Sequence, residues 1–205
     1  MIIVNQIALA LNVAIGERGT ASFVVSGGSS PTSVFAALVA GEHDHHIDWE
    51  RVTITLVDDR QVADDHDDSN CKLIRSKLLQ GPVGAAQFLP LTTKGPVSEI
   101  PRPFDVMLLG MGTDGHFASL FPAMVDDIAM DVRAAPAVIE TEPHGEPMWP
   151  RISMNLSMIL QSRLILLLVK GSIKREVLAT AQIDRSLPVH HLITQDIQSV
   201  QIVAN

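Results

Sequence analysis

The sequence has little of several things that whole classes of protein need. Its single cysteine, Cys71, excludes an internal disulfide and suits a reducing cytoplasm. Basic residues number 15 against 23 acidic ones, and the net charge of −8 argues against general nucleic-acid binding. The longest apolar run beyond the N-terminal segment, residues 164–169, is far too short to span a bilayer, so no membrane partner is expected. The apolar N-terminus carries no positive charge before Arg18, which argues against a signal peptide.

The composition that is present favours one hydrophobic core. Hydrophobic residues make up 46% of the 205 and the mean hydropathy is +0.24, so the chain can bury a sizeable core. Its length favours a single domain over residues 1–205. The 12 prolines and 13 glycines are scattered, and neither a linker nor an internal repeat is evident. The apolar residues before Arg18 predict an amphipathic first helix.

One stretch organises the rest of the chain. Residues 105–109 form a short apolar run, typical of a strand buried on both faces, that leads directly into the glycine loop 110–112. Asp114 and His116 follow, and the apolar residues 117–121 predict a helical turn or two before a proline. An acid and an imidazole therefore stand where a strand meets a helix. Ligands bind at such strand ends in parallel α/β sheets, and imidazole suits proton transfer near neutral pH.

Two other interpretations of this stretch stay open. Residues 110–115 match G-x-G-x-x-G, the dinucleotide fingerprint, but a single match is a weak signal. A pyrophosphate would also rest where Asp114 lies, and Pro122 would cut short the helix that should hold it. The second alternative is a glycine-rich connection whose Asp114 and His116 merely cap the following helix.

A second strand also delivers a glycine loop. The order is a strand over 21–25, the loop Ser-Gly-Gly-Ser-Ser-Pro over 26–31 and a helix over 32–39. Backbone amides left bare at Gly27, Gly28 and Ser29, with a helix N-terminus behind them, suit a phosphate or a carboxylate. A tight turn with a serine cap and a proline near the first helical position explains the same letters equally well.

The third strand ends in charged residues. Residues 52–57 alternate and are β-branched, and Asp58 and Arg60 follow directly. Charged groups at the exit of a buried strand need a partner or a ligand. The acidic residues 64–70 then favour the N-terminal turn of a helix over 71–79.

Two polar stretches invite a metal hypothesis, and neither supports it. Residues 42–48 hold three histidines and two aspartates, but they lack a helical i, i+4 pair and a second anchored ligand cluster. Residues 64–70 look calcium-like in composition, yet they lack the glycine and the terminal glutamate of an EF-hand loop. No metal site is predicted.

The last apolar strand ends in basic residues. Residues 164–169 lead into Lys170 and Lys174, ahead of a predicted helix over 176–182. Arg151 opens a further apolar segment. A cation near a helix N-terminus is unfavourable unless an anion is also present, so Lys174 is either a solvated surface lysine or an anion ligand. Because each loop follows an apolar strand, a parallel sheet would bring the loops at Ser26, Asp58, Gly110 and Lys170 to one edge.

Together these segments resemble the 6-phosphogluconolactonases, within the superfamily of glucosamine-6-phosphate deaminases and isomerases. SGGSSP at 26–31 is similar to the family's phosphate loop, DDR at 58–60 to its D-E-R, residues 66–70 to its H-P-D-S-N, and GMGTDGHFASLFP at 110–122 to its G-M-G-x-D-G-H-x-A-S-L-F-P. Arg151 and Lys174 stand where the family's R-[IV]-[ST] and G-x-x-K phosphate ligands occur. The resemblance covers residues 23–178. Asp59 departs from the family's glutamate, Asp67 from its proline, and the tail after Pro188 is shorter than its closing helix.

The resemblance implies the fold and the reaction. The expected fold is a three-layer α/β/α arrangement around a mostly parallel, Rossmann-like sheet. The expected reaction is hydrolysis of 6-phospho-D-glucono-1,5-lactone, a small sugar-phosphate lactone, without metal or organic cofactor, by a monomer or homodimer. The site roles it implies are His116 as general base, Asp114 as its orienting partner, Arg60 at the oxyanion, Asp58 as a substrate contact, and Gly27, Gly28, Ser29, Arg151 and Lys174 at the 6-phosphate.

Two alternatives remain on the same fold. One is a sugar-phosphate deaminase or isomerase, against which the ASLFP ending after His116 and the arginine at position 60 argue. The other is a noncatalytic sugar-phosphate sensor. A sensor would have no need of His116, and the sequence shows no attached DNA-binding segment.

Overall fold

The computed structural model of the chain describes residues 2–93 and 100–204. Nine strands lie within them: β1 Ala21–Val25, β2 Val52–Leu56, β3 Asp58–Arg60, β4 Gln87–Leu89, β5 Phe104–Gly110, β6 Val138–Thr141, β7 Arg151–Met154, β8 Ser162–Val169 and β9 Val200–Ala204. The α-helices there are α1 Ile2–Arg18, α2 Thr32–Ala40, α3 Asn70–Lys77, α4 Leu156–Leu160, α5 Ser172–Thr180 and α6 Pro188–Thr194. Short 3₁₀ helices cover Trp49–Arg51, Gly81–Ala85, Pro122–Met124 and Ile128–Met130.

The larger sheet has six parallel strands in the order β4-β2-β1-β5-β8-β9. Every residue of β1 is buried, as are the first six of β5, because helices flank the sheet and leave its central strands no solvated face. The predicted α/β fold with a mostly parallel sheet is confirmed. The parallel register also brings the ends of β1, β2, β5 and β8 to one edge, as predicted.

A second, three-stranded sheet was not predicted. It is antiparallel, in the order β3-β7-β6, and pairs Asp58 with Ser153 and Arg60 with Arg151. The sequence placed Asp58 and Arg60 in a loop at the exit of a strand. The loop assignment is wrong, because these residues pair with β7 and form the short strand β3.

The N-terminal helix is confirmed as α1. It buries Val4, Ile7, Ala8, Leu11 and Ala14, which recur three or four residues apart and so share one face of the helix. No helix in the described ranges, α1 included, is long and apolar enough to cross a membrane.

The predicted helix over 117–121 is wrong. This fully described segment forms turns closed by a bridge between Phe117 and Leu120. Ala118 has a φ of +48°, a left-handed conformation that a right-handed helix cannot contain. Phe117 and Leu120 are fully buried, so their apolar character reflects core packing in an irregular loop.

Three other boundaries differ from the predictions. Helix α3 begins at Asn70 and ends at Lys77, and α5 begins at Ser172, so Lys174 lies inside its first turn. The closing elements α6 and β9 had not been predicted. Val189 in α6 donates its backbone N–H to the carbonyl of Gly115 at 3.0 Å, which fixes the tail against the loop that carries His116.

Candidate active site

A cleft of about 200 Å³ opens at the carboxyl edge of the larger sheet. Eight of the nine residues that the sequence predicts at the site line it: Gly27, Gly28, Ser29, Asp58, Arg60, His116, Arg151 and Lys174. The ninth, Asp114, contacts His116. The cleft is also lined by Ser26, Ser30, Asn70, Gly110, Met111, Gly112 and Ala118. The structure therefore brings all four predicted loops together around one space.

A wider cavity of about 380 Å³ lies at the opposite, amino edge of the sheet. The carboxylate of Asp105 in its wall is already bound by the backbone and hydroxyl of Ser22 and by Arg18. Among the lining residues that the structure describes, there is neither a glycine loop nor an imidazole. Since ligands of open α/β sheets bind at carboxyl strand ends, the smaller cleft is the candidate active site.

The glycine loop 26–31 presents bare amides to this cleft. The backbone N–H groups of Gly27, Gly28 and Ser29 donate to no group in the described part of the chain. Gly28 has a φ of +79°, which favours glycine. Helix α2 has Pro31 at its N-cap position with no side-chain cap, so the structure does not use a serine cap. Free amides ahead of a helix N-terminus can hold an anion.

His116 is held by Asp114 in a defined tautomer. Its Nδ1 lies 2.6 Å from Asp114 Oδ1, and its backbone N–H donates to the same oxygen at 3.2 Å. Burial alone would raise the pKa of Asp114, but the hydrogen bond and charge of His116 outweigh it and lower that pKa. The carboxylate is therefore ionised at neutral pH and can only accept. In the neutral form of the imidazole, Nδ1 consequently carries the hydrogen and Nε2 has the lone pair that can take a proton.

Gly112 explains why the loop can place His116 so close. A Cβ atom at position 112 would lie 2.3 Å from the His116 ring and 2.5 Å from Asp114 Oδ1. The backbone N–H of Gly112 also donates to the carbonyl of His116 at 2.8 Å. Gly112 therefore makes room for the acid and imidazole pair. No helix follows this loop within the fully described residues 111–121. A dinucleotide-binding loop would need such a helix to hold the pyrophosphate, so the structure argues against the dinucleotide interpretation.

Phe121 contacts both His116 and Arg151. Its ring centroid lies 4.6 Å from that of His116, and the Arg151 guanidinium lies over it at 5.2 Å. Phe121 is buried and packs on Gly145, where a Cβ would come within 2.8 Å of the ring. Its ring is thus a shared surface for the imidazole and the arginine.

Two arginines face one another on the small sheet. Arg60 and Arg151 are directly paired across β3 and β7, an arrangement of like charges that is destabilising by itself. Burial and then the charge of Arg60 lower the pKa of Arg151. Arg151 Nε and Nη2 donate to the carbonyls of His144 and Pro147, both at 3.1 Å. An anionic ligand bound against the arginines would relieve their repulsion.

Lys174 stands beside the glycine loop. Its Nζ donates to Ser30 Oγ at 3.3 Å, and Lys170 Nζ donates to Ser33 Oγ at 2.6 Å. Burial, and then the charge of Lys170, lower the pKa of Lys174. Lys170 and Lys174 thus lie near the N-termini of α2 and α5, where positive charge is unfavourable. An anionic ligand in the cleft would compensate this charge.

Asp58 is buried, with 5% of its surface exposed. Its Oδ2 accepts from Ser119 Oγ at 2.6 Å. Burial raises the pKa of Asp58, against the opposing effects of Ser119 and Arg60. Ser119 follows Ala118 in the irregular loop after His116, so this hydrogen bond ties the small sheet to that loop.

Asp58→Asn is expected to raise the free energy of unfolding by about 1 kcal/mol at pH 7, because the neutral amide avoids burying a charge. The raised folded-state pKa of Asp58 determines how the stability difference between wild type and variant changes with pH. Wild type loses stability relative to the variant as pH rises from about 3.8 through the folded-state value. Urea unfolding between pH 4 and pH 7 measures the difference. A variant whose relative stability falls with rising pH would contradict the assignment.

The departures at Asp59 and Asp67 lie outside the cleft. Asp59 Oδ1 accepts from the backbone N–H of Asn70 at 2.6 Å and Oδ2 from that of Cys71 at 3.0 Å. Asp59 thus binds the first turn of α3, where a carboxylate is favourable. Asp67 is exposed and pairs with Lys72 at 2.6 Å. Neither side chain lines the cleft.

Four contributors were missed in the sequence: Asn70, Ser30, Ser119 and Phe121. Asn70 and Phe121 lie inside the motifs already quoted, but the sequence does not indicate which residues they contact. Ser30 could have been found, since it belongs to the glycine loop. Within residues 2–93 and 100–204, no group of three or more His, Cys, Asp and Glu side chains could hold a metal ion.

The chain is similar to known proteins over almost its whole length. Residues 2–201 match the family described as glucosamine-6-phosphate isomerases/6-phosphogluconolactonase. The chain is 35% identical to the 6-phosphogluconolactonase of Rhizobium meliloti, over 97% of this chain and 90% of that one. It is 36% identical to that of Caulobacter vibrioides, over 95% and 87%. A solved 6-phosphogluconolactonase from Shewanella baltica superposes with a TM-score of 0.86 at 36% identity, covering 98% of this chain and 91% of that one.

The chain therefore belongs to the glucosamine-6-phosphate isomerase/6-phosphogluconolactonase family. Its relatives cited above all carry the lactonase name. The resemblance inferred from the motifs is confirmed.

Proposed function

We propose that this chain hydrolyses 6-phospho-D-glucono-1,5-lactone to 6-phospho-D-gluconate. The observation that carries the proposal is the Asp114–His116 pair, joined at 2.6 Å, in a cleft that also holds bare amides and two facing arginines. The named relatives support the same substrate.

His116 acts as the general base. Because Asp114 accepts from Nδ1, Nε2 takes a proton from water as that water attacks the C1 carbonyl of the lactone. The same nitrogen then returns the proton to the ring oxygen when the C1–O bond breaks. Asp114 stabilises the imidazolium that forms between these steps.

Arg60 stabilises the oxyanion that forms on the C1 carbonyl oxygen. Its guanidinium lines the cleft and its position is fixed by two hydrogen bonds from Nη1 to the protein. A cation that is already oriented in a partly dry site needs no reorganisation when charge develops. Asp58 contacts the substrate at the same end of the cleft.

The 6-phosphate occupies the other end. The amides of Gly27, Gly28 and Ser29 donate to its oxygens, and Arg151 and Lys174 supply the charge. Local cations are needed because the net charge of −8 repels an anionic substrate at long range.

The direct test is acid release from freshly made 6-phosphogluconolactone, followed at constant pH with the spontaneous rate subtracted. We expect enzyme-dependent release that saturates with substrate. Glucosamine 6-phosphate is the second substrate, since ammonia release from it would indicate the deaminase alternative. Neither activity, with retained binding of 6-phosphogluconate, would indicate the sensor.

A further inference from the structure

Asn70 lies at the start of α3, at the wall of the cleft, with only 2% of its surface exposed. It bonds to every residue of β3. Its Oδ1 accepts from Arg60 Nη1 at 2.9 Å, its Nδ2 donates to the carbonyl of Asp58 at 2.9 Å, and its backbone N–H donates to Asp59 Oδ1 at 2.6 Å. This buried amide is therefore the connection between α3 and the strand that carries Arg60.

An amide side chain satisfies both of these side-chain contacts with separate atoms. The carbonyl of Asp58 requires a donor, and the Arg60 guanidinium requires an acceptor. A carboxylate would lack the donor, and an aliphatic side chain would lack both. The network thus fixes which way the amide of Asn70 faces.

The hydrogen bonds of Arg60 leave a specific part of its guanidinium for a ligand. Nη1 is occupied by Asn70 Oδ1 and by the carbonyl of Asp68, both at 2.9 Å. Nε is buried and has no hydrogen-bond partner in the described part of the chain. Nε is therefore closed to a ligand, and the guanidinium meets a ligand with the part that lines the cleft.

Asn70 also determines the residue opposite it in the glycine loop. A Cβ atom on Gly27 would lie 1.9 Å from Asn70 Oδ1 and 2.2 Å from its Cγ. Asn70 therefore occupies the space that a side chain at position 27 would need. One side chain contacts both the anion-binding loop and the oxyanion arginine.

We propose that Asn70 is a positioning residue, which holds Arg60 by Nη1 so that the part of the guanidinium that lines the cleft meets the oxygen of the reacting lactone. The proposal rests on the proposed lactonase function, and it assigns Asn70 no direct contact with the reacting atoms. Its effect on turnover passes through Arg60.

A double-mutant cycle tests this dependence. Asn70→Ala is expected to lower kcat/KM for the phosphorylated lactone by about 10- to 100-fold, mostly through kcat. In an Arg60→Ala background the same substitution should cost less than about threefold, because the group it positions is gone. Losses that multiply independently in the two backgrounds would overturn the proposal.

Ser69→Ala is the matched control. Ser69 is the N-cap of the same helix and accepts from the backbone N–H of Lys72, but it does not contact Arg60. This variant should lower the thermal unfolding midpoint as Asn70→Ala does, while kcat/KM stays within about twofold. An equal loss of kcat/KM in Ser69→Ala would show that Asn70 acts only through stability.

A second readout needs neither turnover nor a substitution at position 70. Nitrogen-15 spectra of the wild-type protein should show separate Nη signals for Arg60, identified by their loss in Arg60→Ala, because the Asn70 bond hinders guanidinium rotation. A single averaged Nη signal would overturn the positioning role. Absence of lactone hydrolysis by wild type would instead overturn the proposed function, and the spectra would still decide the role of Asn70.

Discussion

Replacement of His116 by alanine is expected to lower kcat for the phosphorylated lactone by about 10²- to 10⁴-fold, the usual range for losing a general base. KM should change much less, because the phosphate contacts remain. Only Nδ1 of this imidazole is engaged, by Asp114 at 2.6 Å, so no protein hydrogen bond in the described chain depends on Nε2. Steady-state kinetics with the spontaneous rate subtracted measures the loss.

His144→Ala is the control for this experiment. His144 also contacts the Phe121 ring, with centroids 5.5 Å apart, but it does not line the cleft. Its carbonyl still accepts from Arg151 after the substitution, so turnover should stay within about threefold of wild type. Near-normal kcat in a folded His116→Ala protein would end the general-base assignment.

Lys174→Ala is expected to lower kcat/KM for the phosphorylated lactone by about 10- to 100-fold. The loss corresponds to roughly 1.5–3 kcal/mol, the contribution of one charge-assisted hydrogen bond. Lys174 is a cleaner test than Arg151, since Arg151 also donates to the carbonyls of His144 and Pro147. Replacing Arg151 would loosen that loop as well as weaken phosphate binding.

Two comparisons separate phosphate recognition from other roles of Lys174. Glucono-1,5-lactone carries no phosphate, so its slower hydrolysis should be the same in wild type and Lys174→Ala. Lys170→Ala removes a neighbouring cation that donates to Ser33 and does not line the cleft. It should cost less than about threefold. Equal losses on both lactones would show that Lys174 supports the fold or the chemistry.

The central strands of the large sheet could be predicted, because their sequence pattern is simple. β1, the first six residues of β5 and residues 165–169 of β8 are buried on both faces, and such burial demands mostly apolar residues. The glycine loops follow those runs directly, so the carboxyl edge of the sheet could be predicted with them. An apolar run followed by a glycine loop is a local pattern, and local patterns can be recognised in a single sequence.

The small sheet could not be predicted, because its pairing is not local. β3 is three residues long, and its partner Arg151–Met154 lies far along the chain. Nothing in the letters Asp-Asp-Arg indicates a strand, since charged residues are rare in buried sheets. Their polar groups are satisfied by partners distant in the pattern: the carbonyl of Asp68, Ser119, and Asn70 and Cys71 of α3.

Over residues 117–121 the sequence pattern predicted a regular element, a helix, that the structure does not contain. Phe117, Leu120 and Phe121 have helical spacing, but each packs separately from an irregular loop. Ala118 at a φ of +48° is set by the surrounding contacts, among them the bond from Ser119 to Asp58. Tertiary contacts therefore overrode the pattern at the candidate site, where such conflict is common.

Val57 links the two sheets at a single residue. It donates its N–H to the carbonyl of Val25 in the large sheet at 3.0 Å, and its own carbonyl accepts from the N–H of Met154 in the small sheet at 2.8 Å. The glycine loop begins directly after Val25, and Arg151 opens the strand that ends at Met154. The spacing between the phosphate amides and Arg60, three residues after Val57 on β3, is thus set by continuous backbone pairing. We expect the cleft to select substrates by length: a lactone whose phosphate lies one carbon closer to its carbonyl cannot reach both ends at once.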